Sequence, residues 1–299
     1  MNLINSTLVN LLSYLPKWMV RPFAAPYVAG ENIENVIKTV KTLNAQGFLA
    51  TVDILGEHVL SKEESYQIRD EYLKLYDRIE YDRLNANISL KPTHLGMEID
   101  VSLAEDNLLK ILDKAKEYNN FMRIDMENSP YTDATINIYK KCLKNYSKVG
   151  MVLQSYLHRT AQDITTLDSE NFNCRICKGI YHESENISYH NKEKIREQFF
   201  NDVKLILTGK GYVAIATHDI ALIDKIENWI IDQNIPHDRF EFQVLYGVPM
   251  GNRLQKLLSK GYVVRNYVPF GEAWFDYSIR RLTENPNILW YVLGNIFKK

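Results

Sequence analysis

Short apolar runs alternate along the chain with longer stretches in which apolar and charged positions share a helical period. The short runs are residues 47–54, 86–90, 121–125, 150–155, 173–177, 212–217, 240–245 and 262–268. Each is rich in Val, Ile, Leu, Phe or Tyr, as buried parallel strands tend to be. Helices are predicted between them over 61–79, 102–118, 133–145, 191–208, 220–233 and 252–259, with a last one over 276–283. In the first of these, Leu60, Tyr66, Ile68, Tyr72 and Leu75 recur near helical spacing. Ser102 with Glu105 reads as a capping box at a helix start. Gly47, Gly150, Gly211 and Gly261 stand at the approach to strands, where turns and helix ends favour glycine.

Strand–helix alternation at this spacing argues for parallel βαβ units. Eight repeats within 299 residues favour a closed (β/α)8 TIM-like barrel over an open sheet. Without a linker or compositional break, residues 1–299 read as a single domain, with 1–46 as an N-terminal helical extension.

The composition fits a soluble globular protein, with 45% hydrophobic and 24% charged residues. The 36 basic and 37 acidic side chains nearly cancel, and no segment is strongly basic, which argues against a nucleic-acid partner. Three cysteines (Cys142, Cys174 and Cys177) and no secretory signal fit a reducing, cytoplasmic setting. No apolar run reaches the roughly 18 residues of a membrane span. Residues 8–20 and 288–297 come nearest, and read as amphipathic helices that pack on the body or touch a membrane surface.

An active site in such a barrel lies at the C-terminal ends of the strands. The polar residues there are Asp53 and Glu57, Lys91, Asp125 and Glu127, Gln154, Arg175 with Lys178 and Gly179, Thr217 with His218 and Asp219, Glu241 with Gln243, and Tyr267. On the last helix Tyr277, Arg280, Arg281 and Glu284 share one face, at i, i+3, i+4 and i+7. Adjacent arginines suit a carboxylate ligand, although a solvated charged face would show the same spacing. Three motifs carry little. The Gly209–Ala214 stretch matches a dinucleotide glycine pattern, yet it precedes a strand instead of following one. Cys174 and Cys177, three apart in a strand, point to opposite faces and suit no common metal. His58, His94 and His218 lack the spacing that would establish a metal centre, so no metal is expected.

The same residues resemble the proline dehydrogenase family. The resemblance runs through Asp53-Ile54-Leu55-Gly56-Glu57, Ser89-Leu90-Lys91, Arg123-Ile124-Asp125-Met126-Glu127, Gln154-Ser155-Tyr156, Arg175-Ile176-Cys177-Lys178-Gly179, Ala216-Thr217-His218 and Glu241-Phe242-Gln243. It ends in Tyr267-Val268-Pro269-Phe270-Gly271 and Tyr277 to Glu284, and so covers residues from about 47 to 286. It implies a distorted barrel holding FAD without a dinucleotide-fold motif. Arg280, Arg281 and Lys91 would then bind the carboxylate of L-proline, Asp125 would organise the basic cluster, and Tyr267 and Tyr277 would pack on the ring. Arg175 would lie near flavin N5, and Gln154, Lys178, Gly179, Thr217, His218, Arg281 and Glu284 would hold FAD. Hydride transfer would give Δ1-pyrroline-5-carboxylate, with electrons passed to a quinone and the product to a separate pyrroline-5-carboxylate dehydrogenase. Two other readings stay open: a hydroxyproline dehydrogenase on the same scaffold, and a Schiff-base aldolase using Lys91 or Lys178.

Overall fold

The computed structural model describes Lys17, Val20, Arg21 and residues 25–284, with only the backbone at Arg280 and at 282–284. Eight parallel strands close into a barrel in sequence order: β1 (Leu49–Ile54), β2 (Ala86–Leu90), β3 (Met122–Ile124), β4 (Val149–Gln154), β5 (Asn173–Cys177), β6 (Tyr212–Ala216), β7 (Phe240–Leu245) and β8 (Val264–Phe270). The seam is the β1–β8 pair, in register from Leu49 with Arg265 to Ile54 with Phe270. Helix α1 (Ile33–Ala45) precedes the barrel. The others follow their strands: α2 (Lys62–Tyr81), α3 (Val101–Glu117), α4 (Thr132–Asn145), α5 (Thr160–Leu167), α6 (Lys192–Thr208), α7 (Ile220–Asp232), α8 (Arg253–Ser259) and α9 (Trp274–Glu284).

Strand alternation divides the molecule into two layers. Val52, Ile88, Ile124, Leu153, Ile176, Ile215, Phe242 and Val264 point outward into the apolar core beneath the helices. The residues between them point into the barrel and include Asp53, Ser89, Arg123, Gln154, Arg175, Glu241, Gln243 and Arg265, which is polar for a bore that usually holds branched apolar side chains.

Four details differ from the sequence reading. Helix α5 was not expected; its Thr160, Thr165 and Thr166 depress helix propensity, and buried Ile164 and Leu167 hold it down instead. The cap of α3 is Asp100, whose carboxylate accepts from the Ser102 amide and hydroxyl, both at 2.8 Å. A carboxylate opposes the helix dipole better than the hydroxyl of Ser102 can. Gly150 lies inside β4, where a Cβ would stand 2.4 Å from Nη1 of Arg123, so packing rather than a turn requires glycine. Strand β8 starts two residues later than expected and runs on through Pro269. The apolar stretches 8–20 and 288–297 lie outside the described residues except for Lys17 and Val20. No helix among the described residues is long and apolar enough to cross a membrane.

Candidate active site

A buried ion network fills the lower bore. Arg265 (β8) donates from Nε to Glu241 (β7) at 2.9 and 3.0 Å, and from Nη1 to the Ala50 carbonyl at 2.9 Å. Burial works against ionisation of Glu241, yet Arg265 holds its carboxyl below the usual range. Arg123 (β3) donates to the carbonyls of Met151 and Asn173, each at 3.0 Å, and to Oδ1 of Asn173 at 2.7 Å. Burial, with Arg175 nearby, brings Arg123 down to about 10. Such charges persist in a low-dielectric interior only when each has partners.

One layer further toward the strand ends, Arg175 (β5) spans the barrel. Its Nη1 donates to Oδ1 of Asp125 at 2.8 Å, and its Nε to Oε1 of Gln243 at 2.6 Å. Its Nη2 is buried with no protein partner among the described residues. The guanidinium lies 5.2 Å from the ring centre of Tyr267. Asp125 also accepts from Ser89 Oγ at 2.5 Å and from the Tyr267 hydroxyl at 3.2 Å. Lys91 pairs with Asp53 at 2.9 Å, both buried. Burial raises the Asp53 carboxyl to about 6; Lys91 opposes the rise and Asp125 adds to it. Burial would depress Lys91, but Asp53, Asp125 and Glu57 outweigh it and hold the ammonium above its ordinary value.

Across the mouth of the barrel stands a second group. Gln154 donates from Nε2 to the Glu127 carbonyl at 2.9 Å, while its Oε1 is buried without a partner among the described residues. Glu127 is pushed up to about 7 by burial, against two donors from Thr93. Lys178 pairs with Asp219 at 2.7 Å, and Arg196 reaches the same carboxylate at 2.8 Å. Asp219 also caps α7 through the Leu222 amide, and Thr217 Oγ accepts from the Asp219 amide at 3.2 Å. His218 accepts at Nε2 from the Leu245 amide at 2.8 Å. Burial, with Arg281 and Lys178 adding, lowers it to about 4, so it is neutral at pH 7 with its proton on Nδ1. Gly179 has φ +109°, and a Cβ there would stand 2.1 Å from the Tyr156 ring. The backbone therefore passes where no side chain fits.

Helix α9 closes this end. Tyr277 packs with Val28, Leu55 and Trp274, and the Arg281 guanidinium lies 5.3 Å from its ring centre. A cleft of about 980 Å³, lined by Lys91, Tyr277, Leu55, Glu57 and Phe270 among others, opens beside it. The expectations for the side chains of Arg280 and Glu284 lie outside the described residues.

The structure thus brings Lys91, Asp125, Arg175 and Tyr267 into one buried network, and puts Gln154, Lys178, Thr217 and His218 at the strand exits around it. The partner of Lys91 is Asp53 rather than Asp125, and sequence reasoning gave Asp53 no role. It also gave none to Gln243, Arg123 or Arg196, whose partners lie on other strands or helices. The aldolase reading fails on Lys91, because a Schiff-base amine needs a depressed pKa and this one is raised. Burial raises the Cys177 thiol to about 12 and Cys174 higher still, so neither is a thiolate near neutral pH.

Three comparisons bear on this geometry. A family model described as proline dehydrogenase matches residues 36–289. "Proline dehydrogenase 1" of Bacillus subtilis (strain 168) is 38% identical over 289 residues, 97% of this chain and 95% of that protein. "Proline dehydrogenase" of Deinococcus radiodurans is 33% identical over 280 residues, 92% of this chain and 90% of that one. Among solved structures, proline utilization A from Bdellovibrio bacteriovorus inactivated by N-propargylglycine superposes with a TM-score of 0.83 at 25% identity. That match covers 90% of this chain, which spans about a third (33%) of the larger protein.

Proposed function

The chain belongs to the proline dehydrogenase family, and from that premise we propose that it is an FAD enzyme that oxidises L-proline to Δ1-pyrroline-5-carboxylate and passes the electrons to a quinone. Flavin-dependent oxidation of proline, the first step of its catabolism, follows from the family. The observation that carries the residue assignment is Arg175, clamped at Nε and Nη1 with Nη2 left as a buried donor without a protein partner among the described residues. Buried donors are normally satisfied, so this one is kept for a ligand.

The residues present fit a flavin. Arg175 Nη2 and Gln154 Oε1 are a donor and an acceptor buried without protein partners among the described residues. Gln154, Arg175, Lys178, Gly179, Thr217, His218, Arg281 and Glu284 would hold FAD. When bound, the flavin supplies the hydride acceptor. Neutral His218 offers its Nδ1 hydrogen as a donor, and Arg175 offers positive charge in a site shielded from water.

Lys91, Arg280 and Arg281 would hold the substrate carboxylate, with Tyr267 and Tyr277 against the ring. A carboxylate arriving at Lys91 comes beside Asp53, already raised to about 6. A second negative charge raises it further and favours the protonated acid. Asp53 then leaves Lys91 to the substrate without adding a buried charge. The ring nitrogen must be unprotonated to release hydride, and orientation does the rest. The product would pass to a separate pyrroline-5-carboxylate dehydrogenase. The expected setting is the cytoplasm, with peripheral membrane contact through the terminal apolar stretches.

Heating the purified protein should release FAD; FMN, or no flavin at all, would overturn the cofactor assignment. Lys91→Met, loaded with flavin, should raise KM for proline at least tenfold. An unchanged KM removes Lys91 from the substrate site.

A further inference from the structure

We propose that Gln243 is a positioning residue for the flavin: its amide bridges Glu241 to Arg175 and so aims Nη2 of Arg175, unpartnered among the described residues, at the reacting end of the ring. This rests on the reading above that Arg175 meets the flavin.

Three observations carry it. Arg175 presents donors in a rigid plane. Two of its nitrogens are taken, Nε by Gln243 on β7 and Nη1 by Asp125 just past the end of β3, to either side. A plane held at two nitrogens cannot pivot, and its remaining nitrogen, Nη2, has one direction left. Removing the Gln243 bond leaves a single anchor, Asp125, which Ser89 and Tyr267 share.

The amide of Gln243 is also fixed in sense. Its Oε1 must face a guanidinium that only donates, and its Nε2 must face Glu241, a carboxylate that accepts. Glu241 is in turn held ionised by Arg265. In the chain Arg265–Glu241–Gln243–Arg175–Asp125 across the bore, Arg265 and Gln243 both donate to Glu241 and Arg175 donates to both Gln243 and Asp125, so the sense of each bond is fixed; all five residues are buried or nearly so.

Finally, the linking residue is neutral. A carboxylate at 243 would also accept from Arg175, but it would cancel the positive charge offered to the flavin and face Glu241 with like charge. An amide holds the guanidinium and leaves that charge in place.

The test uses the flavin-loaded enzyme in four forms: wild type, Gln243→Met, Gln243→Glu and Arg175→Met. The readouts are the midpoint potential of the bound flavin and the separate kcat and KM for proline. Gln243→Met keeps length and apolar packing but loses both hydrogen bonds. It should bind reduced over oxidised flavin at least tenfold less favourably than wild type, a fall of about 30 mV for a two-electron couple. Its kcat should fall about tenfold while KM for proline changes less than threefold. Gln243→Glu should lower the potential further. If Gln243→Met keeps the wild-type potential while Arg175→Met shifts it, Gln243 only packs and the proposal is overturned. If Arg175→Met leaves the potential unchanged, the failure lies in placing Arg175 at the flavin, and this inference falls with it. Should Gln243→Met not fold, an unchanged potential in Gln243→Glu overturns the proposal by itself.

Discussion

Asp202, on the inner face of α6, has Ser155 as a polar neighbour, and one of its carboxylate oxygens is buried without a partner among the described residues. Burial pushes this carboxyl up to about 7, with Ser155 only partly opposing the rise. The folded state therefore keeps the proton that the unfolded chain gives up near pH 4, and the stability tied to that proton is lost as pH rises through about 7. Asp202→Asn cannot ionise. It should unfold at higher denaturant than wild type at pH 8, by on the order of a few kcal/mol, and the gap should shrink toward pH 5. A gap of equal size at both pH values would show that Asp202 is not the titrating group. At this scale Lys91, Arg175 and Asp125 were legible because polar side chains stand where apolar strands end. The role of Gln243 was not. Its position two residues from Glu241 shows a shared face, but its partner Arg175 is 68 residues away, and no local pattern encodes which strands meet across a barrel.

Helix α3 shows what element boundaries depend on. Both Asp100 and Ser102 are good caps by type. The structure gives the role to Asp100 and makes the Ser102 hydroxyl a donor to it. Asp100→Ala should therefore cost about 1 kcal/mol in chemical denaturation, and Ser102→Ala clearly less. The reverse order would return the cap to Ser102. Strand positions were legible because Val, Ile and Phe runs buried on the outer face leave a strong signal. The short helix α5 was not, since tertiary burial of Ile164 and Leu167 rather than propensity makes it helical. The start of β8 was misread for a related reason: Tyr262 is apolar and buried, but its backbone lies outside the ladder.

The whole molecule carries its apolar core between barrel and helices, and this frees the bore for charge. Eight alternations of strand and helix sufficed to read the barrel from the sequence. What the alternation could not convey is that Arg123, Glu241 and Arg265 plug one level while Arg175, Asp125 and Gln243 build the next. Those levels follow from register and tilt, which closure of all eight strands sets together. The measurement closest to the central claim is the visible absorption spectrum of the purified protein before and after anaerobic addition of L-proline. Flavin bands near the usual ~450 nm, bleached by proline, are the expected result. A flavin spectrum that proline leaves oxidised, or a colourless protein that takes up no added FAD, would contradict it.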